Sequence, residues 1–294
     1  MHEPIEQLIL TGLDLNTTLS GEPGQGRNGS ANKLDAQDRA FHDWYRFVLS
    51  YPPHLVRTYL KDFGLDSRHT VLDPFCGTGT TLVEGKLNGV RGIGLEANPF
   101  AHFASTVKLD WRVDPELLEE RAKIVAAETL QALDAQGIKD NEPFCESVHD
   151  APLRSLDPDA MALLLRESIS PLPLHKSLVL LDHIRLEREE RHGRHMLLAL
   201  ANALVFKISN LHFGPEVGVQ SPKRDVPVVA SWLLIFDRCR NGLSLSVRFI
   251  EWMPAMLPAS LVQLPSTPSL RRRPIQTRKT IPARRVWSQS CWVS

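Results

Sequence analysis

Residues 71–81 read VLDPFCGTGTT, and residues 92–99 read GIGLEANP. In each stretch an apolar run stops at an acid, and a turn with spaced glycines follows the first. This order predicts a strand, a turn at Gly77 and Gly79 where the missing Cβ atoms let a ligand approach the backbone, a helix, and a second strand ending at Glu96. An acid at that strand end can accept hydrogen bonds from both hydroxyls of a ribose. The two stretches predict an α/β fold with a parallel, nucleotide-binding sheet.

The acid before the turn indicates which nucleotide is bound. Dinucleotide sites use GxGxxG to place a pyrophosphate at a helix N-terminus, whereas here Asp73 stands just before the turn. A carboxylate there repels a phosphate and attracts a cation. S-adenosylmethionine, which carries an ammonium and a sulfonium group, is the cofactor that this arrangement favours. The alternative is an ordinary strand–turn–helix with incidental glycines.

The segment DPFCGTGTT resembles the cofactor loop of class I methyltransferases, in the DPFxGxGTT form of the amino-directed DNA methyltransferases. YPPHLVRTYL, residues 51–60, is similar to the segment that precedes this loop and packs against the cofactor in that family. The resemblance implies a Rossmann-like core in which Asp73 holds the methionine amine, residues 75–79 wrap the methionine moiety and Glu96 holds the ribose. The predicted cofactor-binding residues are Asp73, Pro74, Phe75, Cys76, Gly77, Gly79, Thr80, Glu96 and Asn98.

Composition and periodicity divide the chain into five parts. Residues 1–33 are polar and rich in Gly, Ser and Asn, which predicts a flexible N-terminal arm. We expect the cofactor-binding half of the core, with an N-terminal helical flank, over 34–110, a helical insertion over 111–215, and a return towards the core over 216–245. Residues 246–294 are expected to be an out-of-frame, disordered tail. In the resembling enzymes such an insertion commonly contacts the target DNA.

Several helices are predicted from capping residues and apolar spacing. One begins at Pro52 and Pro53 and ends at Gly64, and a second is capped by Asp114 and covers 114–135. Others begin near Leu156 and Arg194. The apolar face of the first consists of Leu55, Val56, Tyr59, Leu60 and Phe63, and that of the second consists of Leu117, Leu118, Ala122, Val125, Leu130 and Leu133.

Composition indicates which partners, which cellular location and which metal or disulfide sites are expected. The 34 basic and 34 acidic residues cancel, so any DNA-binding surface must be local. The lack of a membrane-length apolar run and of an export pattern predicts a soluble, cytoplasmic protein with no membrane partner. Scattered cysteines predict neither a disulfide framework nor a metal site, and irregularly spaced histidines are expected in ordinary surface or helix positions. These residues are Cys76, Cys145, Cys239 and Cys291, and His175, His183, His192, His195 and His212.

The catalytic half of an amino-directed methyltransferase is missing from the printed sequence. The resemblance implies a strand that ends in [DNS]PP[YFW], whose polar side chain and aromatic ring hold an extruded base, and the chain contains no such tetrapeptide. No catalytic residue is therefore assigned. From about Leu234 onward the sequence loses helical and strand period, and residues 269–294 are basic.

A change of reading frame explains this loss. If the codons of Pro265–Ser294 are rebuilt from the third base of each and the first two of the next, they can yield VDAVITSPPYPNEKDYTRTTRLESVLLGF. We therefore hypothesise a frameshift between Trp232 and Val247, which removes the last strands of the core. A cationic DNA-binding tail is the alternative.

By resemblance, the expected function is transfer of a methyl group from S-adenosylmethionine to the exocyclic amino group of adenine or cytosine in DNA. We expect this chain to be truncated and inactive as printed. Two alternatives stay open: an RNA guanine methyltransferase, which can share a DPFCGTGT loop, and a non-catalytic module that binds cofactor or DNA.

Overall fold

A computed structural model describes residues 34–35, 38–47, 50–140, 152–187, 189–213 and 216–256, the last with backbone alone at 246–256. The chain divides into two units, residues 1–33 and residues 34–294. The first unit, which is the predicted arm, lies outside the described residues. So do residues 257–294, most of the predicted tail.

Helices predominate in the described part of the chain, and two short strand pairs lie among them. The elements in chain order are α1 (Arg39–His42), α2 (Pro53–Asp62), β1 (Thr70–Asp73), α3 (Thr80–Leu87), β2 (Arg91–Gly94), α4 (Pro99–Leu109), α5 (Pro115–Asp134), α6 (Pro158–Ala162), α7 (Pro171–Arg185), α8 (Glu190–Ala203), a π-helical turn (Leu204–Ile208), β3 (Leu211–Phe213), β4 (Val217–Val219) and α9 (Val228–Met256). Across the described ranges, no helix combines the length and the apolar character that a bilayer crossing requires.

Strands β1 and β2 are parallel, and their register pairs Thr70 with Arg91 and Asp73 with Gly94. Helix α3 connects the strands and covers one face of the pair. The contact is so close that a Cβ on Gly94 would lie 2.6 Å from Cδ1 of Leu82 and 3.0 Å from Cβ of Cys76, so a larger residue at this strand position would force these side chains to move. The parallel pair with its crossover helix confirms the α/β, Rossmann-like fold that the sequence predicts.

The opposite face of this strand pair is not covered by any of the described residues. Leu72 and Ile93 are register partners on that face, and they are 59% and 44% exposed. Parallel sheets are ordinarily covered on both faces, because their strands are apolar on both sides. Within the described residues, this sheet is covered on one face only.

The main hydrophobic core lies among the helices that follow β2, chiefly α4, α5, α7, α8 and α9. Asp140 anchors the start of α9, because its carboxylate accepts hydrogen bonds from the N–H groups of Val228 at 2.8 Å and Val229 at 2.7 Å. The fully buried ammonium of Lys176 lies 3.1 Å from the same carboxylate and 2.8 Å from that of Asp225. This ion cluster ties α7 to the start of α9.

Helix boundaries near the strand pair follow the sequence signals. Helix α2 begins at Pro53, and Gly64 adopts φ +61 just after its end. Helix α5 begins after Asp114, whose side chain accepts hydrogen bonds from the N–H groups of Glu116 and Leu117. Most of the predicted apolar face of α5 is buried, whereas Leu117 and Leu130 are exposed.

Three stretches differ from the sequence-based expectation. The helix predicted from Leu156 is short, since α6 covers only Pro158–Ala162. The antiparallel pair of β3 and β4 was not predicted, because three-residue strands carry too little alternation. Helix α9 continues to Met256, although no period was expected beyond Leu234. The expectation was wrong there because four apolar residues at helical spacing bury against α5 and α8: Ile235, Phe236, Cys239 and Leu243.

Candidate functional site

Asp73 stands at the carboxyl end of β1, where the backbone turns away from the sheet. Its Oδ1 accepts a hydrogen bond from the N–H of Phe75 at 3.1 Å, and its Oδ2 accepts one from the hydroxyl of Tyr51 at 3.1 Å. The Tyr51 hydroxyl is also hydrogen-bonded to Oγ1 of Thr81, at the start of α3. The carboxylate is therefore oriented from two sides.

The glycine turn leaves its outer side open. Gly77 and Gly79 have φ values of +53 and +84, which non-glycine residues rarely adopt. A Cβ on Gly79 would lie 2.9 Å from Cβ of Ser105 in α4, whereas a Cβ on Gly77 would meet nothing within 4 Å. Gly79 is thus required by packing inside the protein. Gly77 borders free space through which a ligand can reach the backbone.

Glu96, two residues beyond β2, holds the turn against the second strand. Its Oε2 accepts a hydrogen bond from the N–H of Gly77 at 2.8 Å, and its Oε1 accepts one from the N–H of Asn98 at 2.7 Å. Asn98 caps α4, since its Oδ1 accepts from the N–H groups of Phe100 and Ala101. The structure brings the ends of β1 and β2 together around the turn, as the spacing predicts.

Neither strand-end carboxylate is paired with a cation in the described part of the chain. Among the residues that the structure describes, Asp73 and Glu96 take part in no ion pair, and their partners are neutral hydroxyl and N–H groups. Both act on the Cys76 thiol, whose pKa is raised to about 11, first by burial and then by these two carboxylates. The thiol is therefore protonated near neutral pH and serves as a packing group. The site has a net negative charge suited to a cationic ligand.

The remaining predicted site residues are divided between the surface and the interior. Phe75 is 87% exposed at the tip of the turn, with the exposed Pro74 beside it. Thr80 is buried at the first position of α3. Phe75 is thus free to cover a ligand in the turn, whereas the Thr80 side chain faces the protein.

Sequence reasoning missed an ion network behind the turn. Glu84 in α3 is 1% exposed, and its carboxylate lies 2.8 Å from Nε2 of His42 and 3.1 Å from the guanidinium of Arg57. The same guanidinium lies 2.7 Å from Asp38. Burial lowers the pKa of His42, against the raising effect of its hydrogen bond to Glu84. An acid within the apolar run TTLVEGKL was the available signal, because a buried carboxylate requires partners.

Comparison with known proteins gives a match over the part of the chain that contains the strand pair and its turn. A family model described as "RMKL-like, methyltransferase domain" matches residues 52–147, about a third of the chain. Over these residues the chain is similar to a methyltransferase domain.

The chain also resembles a curated relative. The Type II methyltransferase M.BsoBI of Geobacillus stearothermophilus is 35% identical over 68 residues, which cover 23% of this chain and 13% of that protein. The match therefore spans about an eighth of the relative's length. A search of solved structures gave no significant match.

Other features that could form a site lie away from the glycine turn. A cavity of about 600 Å³ lies between α5, α7 and α8, and none of the predicted cofactor residues lines it. The described residues include no group of three or more His, Cys, Asp or Glu side chains placed to hold a metal ion. His175, His192 and His195 lie in helices, one of the two kinds of position that the sequence predicts, and their side chains are buried.

Proposed function

We propose that the chain binds S-adenosylmethionine at the turn between β1 and α3. The observation that carries the proposal is the pair of strand-end carboxylates, Asp73 and Glu96, which lack a cationic partner among the described residues. A ligand with an ammonium and a sulfonium group supplies the missing positive charge. The open space beside Gly77 supports the fit, because no side chain fills the position next to the backbone.

The roles of the residues follow from their positions. Asp73, held by Tyr51 and by the N–H of Phe75, would receive the ammonium group. Residues 75–79 would surround the methionine moiety with the exposed Phe75 ring as a cover, and Glu96 would accept the ribose hydroxyls. Asn98 would act by capping α4 beside Glu96. The cofactor, when bound, supplies an electrophilic methyl group on a sulfonium centre.

We further propose that the methyl acceptor in the intact enzyme is an exocyclic amino group in DNA. The similarity to a Type II methyltransferase and the DPFCGTGTT form of the loop support this assignment. The chain itself carries no aromatic tetrapeptide to stack on a base. It is therefore proposed to bind the cofactor without transferring the methyl group, as the consequence of a frameshift between Trp232 and Val247.

Calorimetric titration of the purified chain with S-adenosylmethionine tests the first proposal. Loss of a charged hydrogen-bond partner costs about 1.5–3 kcal/mol, so Asp73→Asn and Glu96→Gln are each expected to weaken binding about tenfold to a hundredfold. Glu116→Gln, an exposed carboxylate in the first turn of α5, is the matched control and is expected to bind normally. Equal affinity in all three variants would show that the pocket is wrongly assigned.

Methyl transfer distinguishes the candidate acceptors. S-adenosylmethionine with a tritiated methyl group is incubated with duplex DNA and, separately, with tRNA. Two proteins are compared: the present chain, and a chain expressed after one nucleotide is inserted within codons 232–247. We expect transfer to DNA from the second protein only. Transfer to tRNA alone would favour an RNA guanine methyltransferase, and transfer by the present chain would contradict the proposed inactivity. Resequencing codons 230–250 tests the frameshift directly.

A further inference from the structure

Helix α2 has little of the apolar packing that ordinarily holds a helix in place. Of its residues only Pro53 and Leu60 are buried. On its predicted apolar face, Leu55 is 42%, Tyr59 58% and Phe63 68% exposed within the described part of the chain. Since a helix in a protein is stabilised mainly by burial of such a face, polar contacts contribute more than usual to the position of α2.

The guanidinium of Arg57 ties α2 to the two helices beside it. Its Nη1 and Nη2 donate to the two carboxylate oxygens of Asp38, just before α1, at 2.7 and 3.0 Å. The same Nη1 donates to Oε2 of Glu84 in α3 at 3.1 Å, and Oε1 of Glu84 is bonded to Nε2 of His42 at 2.8 Å. Both carboxylates are buried and fixed. A planar guanidinium that bonds to both is therefore held in place and in orientation.

Two prolines connect this helix rigidly to Tyr51. The residue after Tyr51 is Pro52, with φ −73, and the next is Pro53, the first residue of α2. A proline ring fixes its own φ and restricts the residue before it. The chain from Tyr51 into α2 has few alternative conformations, so the position of Arg57 limits where the Tyr51 hydroxyl can lie.

Tyr51 and Arg57 contact the same side of α3. The Tyr51 hydroxyl is bonded to Oγ1 of Thr81, and Arg57 is bonded to Glu84, three positions further along the helix. Side chains three residues apart in an α-helix lie on one face. Residues 51–57 are thus attached to α3 at two points about one turn apart. At the first of these points the Tyr51 hydroxyl also donates to Asp73.

We propose that Arg57 and Glu84 are positioning residues of the cofactor site: their ion pair holds Tyr51 where its hydroxyl orients the Asp73 carboxylate towards the ligand's ammonium group. Neither residue touches the ligand. The inference deepens the proposed binding of S-adenosylmethionine and rests on it. Without the ion pair, α2 would be held by its few buried apolar side chains, and the Tyr51 hydroxyl would leave Asp73 for part of the time.

Calorimetric titration of the full chain with S-adenosylmethionine tests the role of Arg57. Arg57→Gln is expected to weaken binding about three- to tenfold, the loss expected on removing the Tyr51 hydroxyl. Arg121→Gln is the matched control. The Arg121 and Glu187 side chains are 36% and 3% exposed in their ion pair, against 29% and 1% for Arg57 and Glu84. We expect the control to lose stability in urea and to bind normally. Normal binding by Arg57→Gln, or an equal loss of affinity in both variants, would overturn the proposal.

Glu84→Gln tests the other end of the ion pair and keeps the test open if Arg57→Gln does not fold. The substitution preserves the shape of the side chain and removes its charge, so it weakens the bond to Arg57 without leaving a cavity. We expect affinity to fall at least about twofold. Wild-type affinity in a folded Glu84→Gln protein would contradict the positioning role.

A double-mutant cycle distinguishes positioning of Tyr51 from a general loss of structure. If Arg57 acts through the Tyr51 hydroxyl, Arg57→Gln has nothing further to remove once Tyr51→Phe is present. The double variant is therefore expected to bind as Tyr51→Phe does. Losses of affinity that multiply in the double variant would show that Arg57 acts by another route.

Fluorine NMR follows Tyr51 without the cofactor. The chain contains three tyrosines, so labelling with 3-fluorotyrosine gives three signals, and Tyr51→Phe identifies that of Tyr51. We expect Arg57→Gln and Glu84→Gln to shift this signal and Arg121→Gln to leave it in place.

The two measurements together separate the two proposals. A shifted Tyr51 signal in a protein that does not bind S-adenosylmethionine would reject the cofactor site and keep the link between Arg57 and Tyr51. Normal binding by the Arg57 and Glu84 variants, with an unshifted signal, would reject the link and leave the cofactor site standing.

Discussion

Replacing Gly79 by alanine should destabilise the protein much more than the same replacement at Gly77. Both residues have positive φ, which costs an alanine about 1–2 kcal/mol. At position 79 the new Cβ would also lie 2.9 Å from Cβ and 3.3 Å from Cα of Ser105, so α4 must shift. Overpacking of this kind costs about 1–3 kcal/mol. The expected losses in the free energy of unfolding are about 2–5 kcal/mol for Gly79→Ala and about 1–2 kcal/mol for Gly77→Ala.

Urea denaturation followed by circular dichroism measures both losses, and a double-mutant cycle isolates the steric part. Ser105→Gly removes one of the two crowded atoms, so it should recover about 1 kcal/mol or more in the Gly79→Ala background and nothing in the Gly77→Ala background. Relative to the stability that each variant loses, S-adenosylmethionine affinity should fall more in Gly77→Ala than in Gly79→Ala. The reason is that the alanine methyl group at position 77 occupies the open space beside the turn. Equal destabilisation of the two variants, with no coupling to Ser105, would refute this account of the turn.

Three further predictions concern other buried or oriented polar groups. Tyr51→Phe removes a donor from Asp73 and should weaken S-adenosylmethionine binding about three- to tenfold in calorimetry with unchanged stability; unchanged affinity would contradict an orienting role. Burial lowers the pKa of Lys108 to about 7, so the unfolded chain binds this proton between pH 10.5 and pH 7 and the folded chain does not. The free energy of unfolding should therefore fall as pH decreases through that range. In urea titrations at several pH values, Lys108→Met should reduce this dependence of stability on pH; an identical pH dependence in both proteins would contradict the assignment to Lys108. Asp140→Asn leaves Lys176 poorly compensated and should cost about 3–5 kcal/mol in thermal unfolding, part of which Lys176→Met should restore in the double variant; additive losses would contradict the coupling.

The sequence was sufficient where the determining contacts are local. The strand pair and its turn follow from apolar runs, spaced glycines and strand-end acids, all within about thirty residues. The start of α5 follows from a capping side chain, Asp114, which bonds only two and three residues ahead. These signals need no knowledge of the rest of the chain.

The elements that sequence did not predict depend on distant contacts. Glu84 is stabilised by His42 and Arg57, which lie 42 and 27 positions away in the chain, so no spacing rule connects them. Helix α9 is long because α5 and α8 cover it, although the sequence beyond Leu234 predicts no helical period. The exposure of the α2 face was equally unpredictable, since an amphipathic pattern indicates that a face can be buried without indicating its partner.

The role of Glu96 in the turn is compatible with its proposed role in holding a ribose. A carboxylate has about four lone-pair sites, and the N–H groups of Gly77 and Asn98 occupy one on each oxygen. Two sites are therefore left for two hydroxyls. The same carboxylate accepts the hydrogen bond from the Gly77 N–H. A ribose that binds to Glu96 and shifts its side chain would therefore also shift the turn that would surround the methionine moiety of the ligand. One side chain thereby links the two halves of the proposed cofactor site, which is why an acid at the end of the second strand matters as much as the glycines of the first.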